Sequence, residues 1–210
     1  MRKDYRNTIY CPELEGIKVR KKAVEELIKK YHPRAKNMHR YLSRNRDMYK
    51  EAFIKAYNEK CSYCGVSNEI VPKSSFEVDH FFYMESFRSP MDAGEMDNLV
   101  LACYDCNHRK GAFEIPQNYA DKLHPDKSGI IDCFVRDDRY YINISSKNND
   151  DVVKHFYEKL ALGGELRRLD YLLMSIYGLQ HHLYSLEGMS EVYEKIGYMA
   201  EILRKKRNMI

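Results

Sequence analysis

The chain has 210 residues, 44% of them hydrophobic and 31% charged, with few Gly and Pro and a formal net charge of +4. That balance excludes a globally disordered chain and suits one sizeable core, or a small module with helical additions. The positive charge is uneven, since residues 1–60 hold 17 Lys/Arg against 8 Asp/Glu while the remainder holds 18 against 23.

Taken in order, residues 1–16 show no sustained period and are expected to form an arm or loop. No apolar signal core opens the chain and no run approaches the ~18 apolar residues of a spanning helix, so a soluble cytoplasmic protein without membrane contact is expected. From Lys18 to Tyr31 a helical period places Val19, Val24, Leu27 and Ile28 on one face, and Pro33 ends it. A second helix is predicted over 34–57, with Lys36, Arg40, Arg44, Arg46, Lys50 and Lys55 on its polar side. Those cations suit a phosphate-facing surface, and equally a solvated helix face. A strand is predicted over 75–83, a connection over 84–97, a short apolar strand over 99–102 and a helix starting near 103–107. A hairpin is predicted from Ile130–Val135 and Tyr140–Ile144 about a turn at Asp137-Asp138, then a polar loop over 145–151. The last sixty residues read as helices, with stripes at Val152, Val153, Phe156, Leu160; Leu166, Leu169, Leu172, Leu173, Ile176; and Val192, Ile196, Met199, Leu203.

The chemistry concentrates between Cys61 and Gly111. Of six cysteines, four form Cys61-x2-Cys64 and Cys103-x2-Cys106, the thiolate set of a closed structural zinc site. Cys11 and Cys133 are read as small buried hydrophobes. Asp79, His80, Asn98 and Asn107 lie among the cysteines and offer oxygen and imidazole donors, which suit a hard divalent ion and a proton acceptor.

This combination of Cys pairs, Asp79-His80, Asn98 before an apolar run, and Asn107 after the last Cys with Lys110-Gly111 following resembles the HNH endonucleases, the ββα-metal nucleases, in the variety held by a four-cysteine zinc clasp. The resemblance implies an α+β fold, a small ββα core flanked by N- and C-terminal helices, and metal-dependent phosphodiester hydrolysis in DNA. It implies His80 as general base, Mg2+ or Mn2+ on Asp79 and Asn107, and Asn98 pinning the loop that orients His80. Strand alternation would send Asp79 and His80 to opposite faces, so a bulge is expected between them. Glu77 is read as a supporting acid or a plain surface residue. His108, adjacent to Asn107, stands as an alternative last ligand, because a helix turns ~100° per residue and both cannot face one ion equally. Lys110 and Arg109, with Arg40 and Arg44, are candidate phosphate contacts.

The expected organisation is a basic helical region over 1–60, the nuclease core with its zinc over 61–115, a loop and hairpin over 116–150, and a helical region over 151–210. This layout also resembles the HNH subunits that accompany an ATPase in bacterial defence systems of the Septu kind, which implies an antiviral role and an ATPase partner. Double- or single-stranded DNA is the expected substrate. A competing reading is a zinc-stabilised nucleic-acid-binding or partner-docking module that is active only within a larger complex. A base beside metal ligands argues against a pure binding module.

Overall fold

The computed structural model describes residues 3–43 and 48–210. The fold is α+β: a two-stranded antiparallel sheet with a helix against it, a second small hairpin, and helices on both sides in sequence.

Helix α1 (Ile17–Tyr31) starts after Gly16, whose φ of 61° lies in the left-handed region. Its inward face is Ile17, Lys21, Val24 and Ile28, at helical spacing, and this corrects the predicted stripe: Val19 is 75% exposed. Lys21 can point inward because its ammonium donates to the Leu99 carbonyl at 2.7 Å and pairs with Asp126 at 2.7 Å. A buried charge is tolerable only with such partners.

Among the described residues, the predicted helix over 34–57 is instead α2 (His39–Leu42) and α3 (Met48–Ala56). The approach to α2 is held out of helix by distant bonds: Met38 N–H donates to Gly94 O at 2.7 Å, and Asn37 Nδ2 to Pro90 O at 2.8 Å. Arg44 and Arg46 lie outside the described residues. Phe53, Ile54 and Tyr57 are buried where α3 and the turn after it pack beside α1.

Strand β1 (Phe76–His80) follows the first Cys pair, and α4 (Pro90–Ala93) lies in the connection to β2 (Leu99–Cys103), which runs directly into α5 (Tyr104–Lys110). The β1–β2 register runs without interruption from Phe76↔Cys103 to His80↔Leu99, so the expected bulge at Asp79-His80 is absent. Every residue of β2 is buried, as a near-continuous apolar run implies.

Beyond the core come α6 (Ala120–Leu123) and α7 (Gly129–Cys133), then the hairpin of β3 (Phe134–Arg136) and β4 (Ile142–Ile144). The strand predicted to start at Ile130 is therefore helical in its first part. Gly129 sits so close to α6 that a Cβ there would lie 2.2 Å from Asp121 O, and Ile130 and Cys133 are buried three residues apart, as a helix face requires. Helix α8 (Asp151–Lys159) is capped by the Asp150 side chain, which accepts from Val153 N. Helices α9 (Glu165–Tyr184) and α10 (Ser190–Arg207) pair as a helical hairpin. On α10 only Ala200 is buried; Val192 and Met199 of the predicted stripe are exposed. No helix among the described residues is long and apolar enough to cross a membrane.

Candidate active site and zinc clasp

The turn after Cys61 is a tight knuckle, closed by Cys61 N–H to Val66 O at 2.8 Å and Gly65 N–H to Cys61 O at 2.9 Å. Gly65 has φ 82°, and a Cβ there would fall 2.5 Å from Arg6 O, so the position needs glycine twice over. The second Cys pair spans the end of β2 and the first turn of α5. The four Sγ atoms come within 4.8 Å of one another, all in buried residues, with Cys64 and Cys103 at 3.9 Å. Thiolates ~2.3 Å from a tetrahedral centre lie ~3.8 Å apart, so the cluster fits zinc and leaves no position open for substrate.

Both flanks close on this clasp. From the N-terminal arm, Arg6 Nη1 donates to Ser62 O at 2.5 Å and Pro125 O at 2.8 Å while Asp4 pairs with the same guanidinium, and Tyr5 OH donates to Tyr63 O at 2.6 Å. From α9, the buried Arg167 pairs with Asp105. Burial opposes its charge, but the thiols of Cys106, Cys64 and Cys103 and the Asp105 carboxylate hold its pKa well above the usual value. A cation beside four thiolates offsets the negative charge that a zinc ion leaves uncompensated.

The side chains of β1 divide as alternation requires. Asp79 turns inward and is only 7% exposed. Its carboxylate accepts from Tyr63 OH at 2.6 Å and from the Lys110 ammonium at 3.1 Å. Burial raises its pKa, and Lys110 and Tyr63 oppose that rise. Lys110 is 2% exposed and also donates to the His80 carbonyl at 2.7 Å. This corrects its expected role: a lysine buried on Asp79 cannot reach a phosphate at the surface. Arg109 is exposed and bonded to Asp105 at 2.8 Å, Arg40 is exposed, and Arg44 lies outside the described residues.

His80, on the other side of the strand, is partly open. Its ring packs on that of His39 from α2, with centroids 4.4 Å apart and planes inclined by 37°. Burial lowers the pKa of His80 to about 4, with His39 and Lys110 adding to the effect, so the imidazole is neutral at pH 7. His39 is also lowered by burial, against the Val78 carbonyl that accepts from its ring.

Glu77, two residues before Asp79, meets α5 at its outer side. Its Oε2 accepts from Asn107 Nδ2 at 2.6 Å and lies 3.3 Å from His108 Nε2. Both residues at the disputed helix position thus reach one carboxylate, Asn107 more closely. His108 is exposed and stacks on Tyr104. Asn98 sits where the connection rejoins the sheet: Phe82 N–H donates to its Oδ1 at 2.9 Å, and its Nδ2 donates to Phe82 O at 3.1 Å and Ala93 O at 2.9 Å.

Sequence reasoning missed His39, Tyr63 and the inward turn of Lys110. Tyr63 stands inside the first Cys pair, where a buried hydroxyl needs a partner; that was the one available signal. Nothing local marks His39.

Residues 61–113, about a quarter of the chain, match the family model of the HNH endonuclease. No curated protein and no solved structure matches the chain.

Proposed function

We propose that the chain is a metal-dependent endonuclease that hydrolyses phosphodiester bonds in DNA, with His80 as the general base. The observation that carries this reading is a neutral, partly open imidazole one residue from a buried carboxylate, inside the segment that matches the HNH endonuclease model. A base held neutral at working pH accepts a proton without first losing one.

The donor types suit a hard divalent cation. Asp79, Asn107 and Glu77 offer oxygens, and the Asp79 carboxylate has about four lone-pair sites, not all used by Tyr63 and Lys110. We assign Mg2+ or Mn2+ to Asp79 and Asn107, with Glu77 or His108 beside them. Bound there, the ion supplies charge neutralisation at the phosphate and at the departing 3′ oxygen. His80 takes a proton from water; the water oxygen attacks phosphorus, and the P–O3′ bond breaks to leave a 5′ phosphate and a 3′ oxygen that takes a proton from solvent water, while His80 later returns its own to solvent. Tyr63 and Lys110 fix the Asp79 carboxylate. Lys110 also anchors the His80 main chain, and Asn98 holds the connection beside it. The four-thiolate clasp binds Zn2+ for the fold rather than the reaction, because so small a ββα unit has little core of its own.

A second reading, compatible with the first, makes the chain a subunit that docks on a partner such as an ATPase in a defence system. It is favoured by apolar side chains left open on α10: Val192, Tyr198, Met199 and Ile202.

The test is cleavage of supercoiled plasmid in Mg2+, Mn2+ and EDTA, beside His80→Ala with its zinc content measured. Removing a general base is expected to lower the nicking rate at least ~100-fold while zinc is retained. Equal nicking by the two proteins would refute the assignment of His80. A wild-type protein that cuts only with a co-purifying ATPase subunit would favour the second reading.

A further inference from the structure

The ring against His80 comes from outside the matched segment. His39 is the first residue of α2, and several bonds fix its place. Met38 N–H donates to Gly94 O at 2.7 Å, Asn37 Nδ2 to Pro90 O at 2.8 Å, and Arg40 N–H to Asn37 Oδ1 at 3.1 Å. Gly94 has no side chain where Asn37 lies, and a Cβ there would meet Asn37 Oδ1 at 2.3 Å. The loop that receives this clamp is the one Asn98 ties to the sheet through Ala93 O. The segment 37–40 and the β1–β2 connection are therefore one packed unit, and His39 is the side chain it presents to His80.

We infer that His39 is a positioning residue, a ring supplied by the N-terminal helical region that packs on the His80 imidazole and fixes the direction in which its free nitrogen faces water. The inference rests on the nuclease reading of His80. A partly exposed histidine at a strand end would otherwise sample more than one rotamer, and proton transfer to water requires hydrogen-bond reach and alignment. A planar ring at 4.4 Å, on a segment clamped to the β1–β2 connection, removes that freedom. It follows that the catalytic unit is larger than residues 61–113 and needs α2.

The experiment compares wild type, His39→Ala and His39→Phe in full-length, zinc-loaded protein, with plasmid nicking kinetics and histidine ring 1H–13C spectra, His80→Ala supplying the assignment. Misplacing a reacting group by ~1 Å costs up to ~100-fold. His39→Ala is therefore expected to lower kcat about 10- to 100-fold with KM within about twofold, and His39→Phe, which keeps a ring in place, to recover most of the loss. The spectra should show cross-relaxation between the two rings in wild type, and His80 ring resonances displaced in His39→Ala but not in His39→Phe. An unchanged kcat in His39→Ala, a change confined to KM, or a His39→Phe as slow as His39→Ala would each overturn the inference. So would the absence of ring-to-ring cross-relaxation, a result that stands whether or not the protein cuts. If wild type is inert in both metals while the rings are in contact and shift as stated, the nuclease assignment fails and the packing role of His39 survives it.

Discussion

The β1–β2–α5 unit holds two opposite kinds of site side by side. At the Cys pairs, four soft donors are buried, mutually close and flanked by Arg6 from the arm and Arg167 from α9. Around Glu77, His80, Asn107 and His108 the donors are hard, partly open and held mainly by side chains that are themselves pinned. Glu77, opposite Ala102, and Asn107, after Cys106, adjoin the cysteines, and only His80, opposite Leu99, stands at the far end of the sheet. A small sheet can keep polar groups exposed and aligned where four buried thiols beside them are placed to tie its strands and helix through one ion; the difference is one of ligand chemistry as much as of burial.

That contrast can be broken from the closed site. Cys106→Ser is expected to have the largest effect, because apparent binding free energies of structural zinc are on the order of 10 kcal/mol and serve as folding free energy. Zinc content should fall, the cooperative thermal transition in circular dichroism should vanish, and nicking should go with it. A variant with a wild-type melt in chelator would refute the structural role of the clasp. Lys110→Met probes the link between the two sites. It leaves the Asp79 carboxylate buried beside Tyr63 alone, and breaking a buried pair by removing one partner costs about 3–5 kcal/mol. Urea unfolding at pH 7.5 reads that cost directly, and an unchanged midpoint would mean that Lys110 is not the counter-charge of Asp79.

The smallest effect lies outside both sites. His124 is buried, its Nε2 is 3.0 Å from Asp97 O, and its Nδ1 accepts from Asp126 N–H. Burial lowers its pKa to about 4; Asp126 opposes the shift, and Lys21 and Lys127 reinforce it. A group with a depressed folded pKa stabilises fully above the unfolded value, near 6.5, and that contribution is lost as pH falls toward 4. The loss is at most about 3 kcal/mol. Stability of wild type should therefore fall more steeply from pH 7 to pH 4.5 than that of His124→Gln. Parallel slopes would show that His124 is not held neutral.

The zinc pairs, the two strands and the helix behind them were legible because their signals are local: fixed Cys spacing, an apolar run of strand length, and a helix opening at the second Cys pair. The misread segments are those that a distant contact decides. Residues 34–38 have a helical pattern, yet Met38 and Asn37 are bonded to the β1–β2 connection more than fifty residues away. Ile130 has strand propensity, but Gly129 lets α7 approach α6. Val19 was one residue type too persuasive, since Lys21 takes the inward place by reaching Leu99 O and Asp126. Within the site, residue types were readable and directions were not. Lys110 beside Arg109 looks like a basic patch until the helix turns one of them onto Asp79.

The Arg6 guanidinium has a consequence for how the protein is made. Its acceptors are Ser62 O, in the first Cys knuckle, and Pro125 O, beyond the second. During synthesis the arm leaves the ribosome ahead of both acceptors, and its lock is not complete until Pro125, more than a hundred residues later, has followed. At about 5–20 residues per second, that wait lasts several seconds or more. All four thiols are available earlier, once Cys106 has emerged, so a zinc ion taken there would close the knuckle before the arm is fastened over it. A nascent chain stalled with Cys106 outside the ribosome and Pro125 still inside it would thus be able to hold the ion while its arm remains unlocked.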